Sequence, residues 1–188
     1  MNLDKAIKTR HSIRRFNQIK KPSYSKILNA IEAATLAPAA GNLSTLRYIF
    51  VQDKEKIKSI AVAAQQEFIT TVPYVVVVCS DKKALEKFYY DRAEKYSKEQ
   101  SGAAIQNYLL KINEQGLASC WIGAFSEKTV KNLLKIPDNV DVIALLPTGY
   151  SLDKSAPHHL KKPQLDKVVF YDAYKNSYMK PLAEPEYQ

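Results

Sequence analysis

The run PYVVVVCS, at residues 73–80, is almost continuously apolar. Four consecutive valines stand at its centre, and β-branched side chains pack well on the pleated surface of a strand. A strand with one face in water would alternate apolar and polar residues, and this run does not alternate. It therefore predicts a strand that is buried on both faces, with further layers of the domain packed on each side.

Other segments supply those further layers. Apolar residues recur at the helical period, which predicts helices at residues 3–10, 23–37, 54–69, 103–116 and 126–136. Additional strands are predicted at residues 46–52, 118–125 and 141–150. Residues 82–100 are helical in pattern but polar, which predicts an exposed helix. Helices around buried strands indicate an α+β or an α/β layered domain.

The charge of the chain suggests a class of partner. In 188 residues, 46% of them apolar, there is enough material for one domain with a substantial core. The net charge of +9 indicates nucleic acid, a membrane surface or a phosphorylated small molecule, or only surplus lysine on a solvated surface. The N-terminal sequence is too polar for a signal peptide, and no apolar run is long enough to span a membrane.

The two cysteines, Cys79 and Cys120, lie far apart, each inside an apolar run. Neither belongs to a C-x-x-C motif, which argues against a zinc site or a thioredoxin-like site. We predict two buried thiols in a reducing cytoplasm, and no metal site.

Glycine is scarce, and this limits how a phosphate could be held. The five glycines form neither the G-x-G-x-x-G nor the G-x-x-x-x-G-K-[ST] pattern. Both patterns bind phosphates through backbone N–H groups in glycine-rich loops. If this chain binds a phosphate, side chains must do much of the holding.

The segment TRHSIRRF, residues 9–16, is suited to that task. Arg10, Ser12 and Arg14 alternate, so in an extended segment they share one face, with Ile13 opposite and available for the core. Two guanidinium groups and a hydroxyl on one face can bind a single phosphate. The alternatives are that Arg10 only ends a helix and that His11, which points the other way, is structural. A second basic cluster, HHLKK at 158–162, is a weaker candidate.

Two loops of small residues could approach a flat aromatic ligand. APAAGN, at 37–42, combines an exposed backbone with the amide of Asn42, and CWIGAF, at 120–125, places Gly123 and Ala124 just past a strand. Each loop is equally consistent with a simple turn.

Taken together, these motifs resemble the nitroreductase family of FMN-dependent NAD(P)H oxidoreductases. The resemblance covers essentially the whole chain, in the family's order and spacing. The segments that carry it are RHSIRRF at 10–16, APAAGN at 37–42, AAIQNYLLKINEQGLASCWIG at 103–123, ALLPTGY at 144–150 and HLKKP at 159–163.

The resemblance implies a fold and an assembly. The family fold is an α+β sandwich of helices around a mostly antiparallel sheet, and it forms a homodimer. Residues 1–150 would be the FMN-binding core, and residues 151–188 a C-terminal extension of the same domain that embraces the partner subunit. The strand VVFY, at 168–171, would be exchanged with the partner. The tail's composition agrees, because a lone apolar run among four prolines cannot form its own core.

The resemblance also implies which residues bind FMN. Arg10 and Ser12 match the phosphate-binding pair, His11 lies between them and offers its backbone, and the tail would add Lys161 and His159. The remaining matches are Arg14 beside the ribityl chain and the N1/O2 edge of the flavin, Gln66 at the pyrimidine edge, Gly123 and Ala124 facing N5 and O4, and Pro38, Ala39, Ala40 and Asn42 packing on the isoalloxazine from the other subunit.

The implied chemistry is the flavin's. NADH or NADPH passes hydride to flavin N5, and an organic acceptor such as a nitroaromatic or a quinone then takes its place, which gives ping-pong kinetics. No catalytic side chain is required, and Arg14 would stabilise the charge that develops at N1/O2. One alternative is a flavin carrier or sensor without efficient turnover. A nucleic-acid-binding domain is a further alternative, but its signatures are absent.

This sequence departs from the family pattern in the first loop. PAAGNLST, at 38–45, lacks the serine and the glutamine–proline pair that are common there. The segment KFYYDRAEKY, with Tyr89, Tyr90 and Tyr96, lies where family members vary. It could form an aromatic lid over the flavin, or only a solvated helix.

Overall fold

Four antiparallel strands form a sheet with the order β1-β2-β4-β3. The computed structural model describes residues 2–152 and 162–177. The strands are β1 Leu46–Val51, β2 Tyr74–Asp81, β3 Ala118–Ser119 and β4 Val140–Gly149. β2 pairs along its whole length with β4, and a bulge between Val78 and Cys79 interrupts the register. The long apolar run is therefore an interior strand.

Helices cover both faces of this sheet. They are α1 Leu3–Thr9, α2 Tyr24–Thr35, α3 Lys54–Ala64, α4 Lys83–Tyr89, α5 Ala93–Glu114 and α6 Glu127–Leu134. Val75 and Val77 belong to the core with α3 and α6, whereas Val76 and Val78 belong to the core with α2 and α5. This confirms burial on both faces and decides for α+β, because the strands are antiparallel.

The prediction of an exposed helix over residues 82–100 is wrong in part. Residues 83–89 form α4, and α5 then runs unbroken from Ala93 to Glu114. Ser97 and Gln100 on α5 are buried, although they are polar. The hydroxyl oxygens of Thr45 and Ser80 lie 2.8 Å apart, and those of Ser80 and Ser97 also 2.8 Å. Because these groups bond to one another, polar residues can line a buried helix face.

Two predicted elements end earlier than expected. α3 stops at Ala64, since Gln65 adopts a left-handed conformation at φ 52°, and a 3-10 turn follows at Glu67–Thr71. The strand predicted at 118–125 has only two residues in the sheet, after which Ile122 alone bridges to Leu145 of β4. In both places the apolar pattern continues past the element, because the residues beyond it also pack on the core.

Contacts divide the chain into Met1–Ala156 and Pro157–Gln188. In the second unit, the described residues 162–177 contain a 3-10 turn at Leu165–Lys167 and a T-shaped contact between Phe170 and Tyr174. Residues 168–171 are not in strand conformation. Because the predicted pairing is with a second chain, strand exchange stays a prediction.

Candidate functional site

The basic segment is held by its backbone and by two buried side chains. Arg10 ends α1, where its N–H donates to the Ala6 carbonyl at 3.0 Å. The chain then runs extended, with the Ile13 N–H donating to the Ser119 carbonyl at 3.2 Å and Phe16 bridging to Ser151. Ile13 and Phe16 are 5% and 2% exposed. The segment is therefore fixed along the end of the sheet.

Three side chains of this segment are at least partly exposed to solvent. Ser12 and Arg14 are exposed, and Arg10 is half-buried. Across residues 2–152 and 162–177, neither Arg10 nor Arg14 forms an ion pair with a carboxylate. An arginine without a carboxylate partner carries a charge that an anion can neutralise. The segment thus presents two such charges and one hydroxyl.

The Cys120 thiol shows which way this face points. Burial raises the pKa of the Cys120 thiol, while the nearby Arg14 charge and a hydrogen bond with Ser12 act to lower that pKa. The backbone agrees, because the residue between Ser12 and Arg14 donates its N–H to the carbonyl of Ser119, directly before the turn that begins at Cys120. From the sequence, Cys120 is predicted only to be buried. The alternation of residues 10–14 predicts that three side chains share a face, but it does not identify the residues that this face contacts.

The turn after Cys120 is anchored but open. Ile122 and Leu145 exchange two backbone hydrogen bonds of 3.0 Å, and the Ser126 N–H donates to the Ala63 carbonyl at 2.8 Å. Between these anchors Gly123 and Ala124 are exposed. A Cβ added to Gly123 would meet no atom within 4 Å. Packing within the chain does not explain this glycine, and the space beside it can admit a ligand.

Gln66 lies on the same side of the sheet as this turn. It follows the left-handed Gln65, and it is half-buried. Two residues on, the ring of Phe68 stacks on Phe16, with centroids 6.3 Å apart. The stretch that holds Gln66 is thus tied to the basic segment, and through Ala63 to the open turn.

His11 has a structural contact. Its Nδ1 lies 2.9 Å from the Thr9 carbonyl, and since a carbonyl only accepts, the ring nitrogen must donate. The side chain is therefore used within the chain, as the structural alternative for His11 predicts. The predicted contact of the His11 backbone with a phosphate stays a prediction.

The loop at residues 38–42 lies at the other end of the sheet. It leads into β1, whose Leu46 pairs with Ser80 near the end of β2, and the Asp81 N–H donates to the Thr45 carbonyl at 3.0 Å. The basic segment lies instead near the start of β2, where Phe16 and Pro73 approach Gly149. Eight residues of strand separate the two ends by roughly 25 Å. Among the described residues, no hydrogen bond or ion pair joins Pro38, Ala39, Ala40 or Asn42 to Arg10, Ser12 or Arg14.

Three further predictions concern the tail, a metal site and a membrane-spanning helix. His159 and Lys161 lie outside the described residues. Among the residues described, no three His, Cys, Asp or Glu side chains cluster in a way that could hold a metal ion. A search of the described helices found none with the length and apolar character needed to cross a membrane.

Comparisons with known proteins agree with this architecture. The model of the nitroreductase family matches residues 7–69 and 59–150. A protein of Archaeoglobus fulgidus, described as a candidate NADH dehydrogenase/NAD(P)H nitroreductase, is 34% identical over 157 residues, which cover 80% of this chain and 86% of that protein. The chain belongs to the nitroreductase family, whose members are oxidoreductases.

Solved structures show the same fold. A nitroreductase family protein from Clostridium novyi superposes with a TM-score of 0.75 at 26% identity, covering 97% of this chain and all of the other. An NADPH:FMN oxidoreductase from Vibrio harveyi, solved with NAD+, superposes with a TM-score of 0.81 at 23% identity, covering 94% of this chain and 79% of its own. These likenesses confirm the α+β sandwich that the sequence predicts.

Proposed function

We propose that this protein is an FMN-dependent NAD(P)H oxidoreductase that reduces an organic acceptor such as a nitroaromatic or a quinone. The observation that carries the proposal is the pair of unneutralised guanidinium groups, Arg10 and Arg14, on a fixed segment that faces an open turn. FMN carries an anionic phosphate at one end of its ribityl chain and a flat isoalloxazine ring at the other, and this site offers a surface for each of these two ends.

The residues present fit FMN. A phosphate needs cations and hydroxyl donors, which Arg10 and Ser12 supply without a glycine-rich loop. A flavin ring needs uncovered backbone, and the unoccupied space beside Gly123 provides it. We assign Gln66 to the pyrimidine edge, and His159 and Lys161 of the tail to the phosphate.

Each residue has a definite task in this proposal. FMN, when bound, supplies the two-electron chemistry that links NAD(P)H to the acceptor. Arg14 supplies a fixed positive charge beside the N1/O2 edge, which favours negative charge on that side of the ring. Gly123 and Ala124 direct backbone N–H groups toward the opposite edge. No side chain of this chain needs to act as a nucleophile or a general acid.

The proposed enzyme is a homodimer, because one chain holds only half of the predicted site. A second copy would bring its own loop 38–42 to the first chain's basic segment, so that each site uses residues of both chains. β1 lies at an edge of the four-stranded sheet, and edge strands need a cover. We propose that residues 168–171 of the partner subunit pair with this edge.

An apolar groove is consistent with such a dimer. A cavity of about 350 Å³ lies between α1, α2 and α5, lined by Leu3, Ala33, Leu36 and Leu110 among others. Leu3 is 65% exposed and Leu36 80% exposed in the single chain. Large apolar side chains exposed side by side are typical of protein contacts.

We further propose a cytoplasmic enzyme without nucleic-acid or membrane partners, in which the positive charge serves the cofactor phosphate and the surface. The nicotinamide donor is NADH or NADPH, as in the name of the A. fulgidus relative. The loop at residues 38–45 lacks the serine that is common in the family. We propose that the flavin therefore has one hydroxyl fewer with which to form a hydrogen bond.

The deciding experiment is an absorbance spectrum of the purified protein, before and after NADH or NADPH is added without oxygen. We expect flavin bands that bleach with the donor. Bands that persist would support a flavin carrier or sensor instead. A protein that stays colourless after added FMN is removed would overturn the proposal. Lysozyme, which is also basic, serves as the control for non-specific FMN uptake.

A further inference from the structure

We propose that Tyr89 is a positioning residue that holds the loop 38–42 in the conformation in which it meets the flavin. This inference rests on the proposed function, because it is the flavin that the loop is proposed to meet. Tyr89 acts from behind the loop and touches neither cofactor nor substrate. Tyr89 ends the mostly exposed helix α4, and the aromatic lid that the sequence also allows for this tyrosine stays a prediction.

The loop adopts a conformation that needs support. Gly41 has φ 55° and Asn42 has φ 59°, so two successive residues are left-handed. Glycine adopts this conformation freely, and asparagine adopts it more often than most residues with a side chain, though still at some cost in free energy. Within the loop, the Asn42 N–H donates to Ala39 and the Leu43 N–H to Ala40, each at 3.0 Å. Such short-range bonds are weak restraints against rearrangement of an exposed loop.

Tyr89 fills the space directly behind this turn. A Cβ on Gly41 would clash with the Tyr89 hydroxyl, and two ring carbons lie 3.4 and 3.6 Å from the position of that Cβ. Gly41 is thus favoured by its positive φ, and a larger residue there would also have to displace the end of the Tyr89 side chain. In return, the tyrosine ring blocks the loop from relaxing toward α4.

Tyr89 is itself held in place. Its ring makes a T-shaped contact with Tyr96 of α5, with centroids 5.0 Å apart. The next residue, Tyr90, has φ 48° and ψ −118°, an unfavourable conformation for a residue with a side chain. This sharp turn ends α4 and separates Tyr89, which is half-buried, from Tyr90, which is 77% exposed. Strained backbone persists only where surrounding contacts fix it.

The consequence concerns the partner subunit's flavin. Asn42 and the alanines before it form the part of the loop proposed to contact the ring. Their positions depend on Gly41, and Gly41 is backed by Tyr89. Loss of the ring at position 89 should therefore loosen flavin binding in the other subunit's site without removing any direct contact to flavin.

A double-mutant cycle tests the contact. Tyr89→Phe removes the hydroxyl that would clash with a Cβ at position 41 and keeps the ring against Tyr96. We expect Gly41→Ala to lower the melting temperature by several degrees in the wild-type background, and by clearly less in the Tyr89→Phe background. Equal losses in the two backgrounds would overturn the contact.

The positioning role is tested by the FMN dissociation constant of the full-length protein. We expect Tyr89→Ala to weaken FMN binding by about tenfold at a temperature well below its melting transition. Phe88→Ala is the matched control, since Phe88 is 58% exposed on the same helix. We expect it to bind FMN as the wild type does. Equal affinity of Tyr89→Ala and wild type would overturn the positioning role and leave the proposed function intact, whereas a wild-type chain that binds no FMN would defeat the proposed function itself.

Discussion

The basic segment at residues 10–16 and the loop at residues 38–42 are built in opposite ways. The segment pairs with Ser119 and Leu152 through its backbone and buries Ile13 and Phe16, so contacts within the chain fix its course. The loop has local hydrogen bonds, two left-handed residues and one tyrosine behind it. The segment is fixed by its backbone and carries two arginines, Arg10 and Arg14, that form no ion pair within the described residues, whereas the loop is held by few contacts.

This difference shows how the proposed work is divided. A charged ligand needs cations that are already in place, because moving charges into position costs free energy at the moment of binding. A contact made across a subunit boundary tolerates a more adaptable loop. The eight residues of β2 span roughly 25 Å between the sheet ends that the two regions adjoin, and the proposed second chain would bring a loop to the first chain's segment.

The largest effect should come from mixing two inactive variants. Arg10→Ala damages the segment and Gly41→Val damages the loop, and we expect each homodimer to be nearly inactive when FMN is kept well below the dissociation constants of the two variants. If every site takes the segment from one chain and the loop from the other, a mixed dimer has one intact site. Equal mixing after co-refolding should then restore about one quarter of the sites, measured as NAD(P)H oxidation. A mixture no more active than its components would show that both regions serve the same chain's site.

The next effect concerns the phosphate. Arg10→Ala should weaken FMN binding roughly 10- to 100-fold, because a charged hydrogen bond to the phosphate is lost. The dissociation constant is measured by quenching of flavin fluorescence. Lys8→Ala removes the same charge two residues away, from an exposed position in the last turn of α1, and should leave the affinity nearly unchanged. If Arg10→Ala and Lys8→Ala lose the same amount of FMN affinity, Arg10 contributes only to the overall positive charge and does not contact the phosphate.

A smaller effect should distinguish the open turn from the supported loop. Gly123→Ala adds a methyl group into space that the chain leaves empty, and no positive φ opposes it. We expect an unchanged melting temperature and a flavin affinity that falls a few fold. Gly41→Ala should instead lower both quantities. A Gly123→Ala protein with wild-type affinity would remove Gly123 from the flavin site.

The smallest effect is a change in acidity. Burial raises the pKa of Cys120, and the positive charge of Arg14 opposes that rise. Removing the charge disfavours the thiolate, so Arg14→Gln should raise the Cys120 pKa further. The pKa can be followed through thiolate absorbance in a Cys79→Ala background, with Lys8→Gln as the control. A pKa that does not move would mean that Arg14 points away from the turn.

Sequence patterns were informative where the burial of a segment depends on the residues next to it in the sequence. The valine run predicted an interior strand, and the alternation of residues 10–14 predicted an extended face of charge with Ile13 inside. The same reasoning failed for residues 82–100. Ser97 and Gln100 are polar but buried, because their side chains form hydrogen bonds in a group with Thr45 and Ser80, which are distant in the sequence. No local pattern reports such partners.

By itself, the sequence determined that β2 is buried on both faces, and it predicts that arginine side chains, without a glycine-rich loop, would hold a phosphate. Only the tertiary structure decided that the strands are antiparallel, that Tyr89 backs Gly41, and that the loop and the basic segment adjoin opposite ends of β2. The physical reason is range. Burial and alternation are set by neighbouring residues, whereas strand pairing and these contacts depend on residues that meet only when the chain has folded.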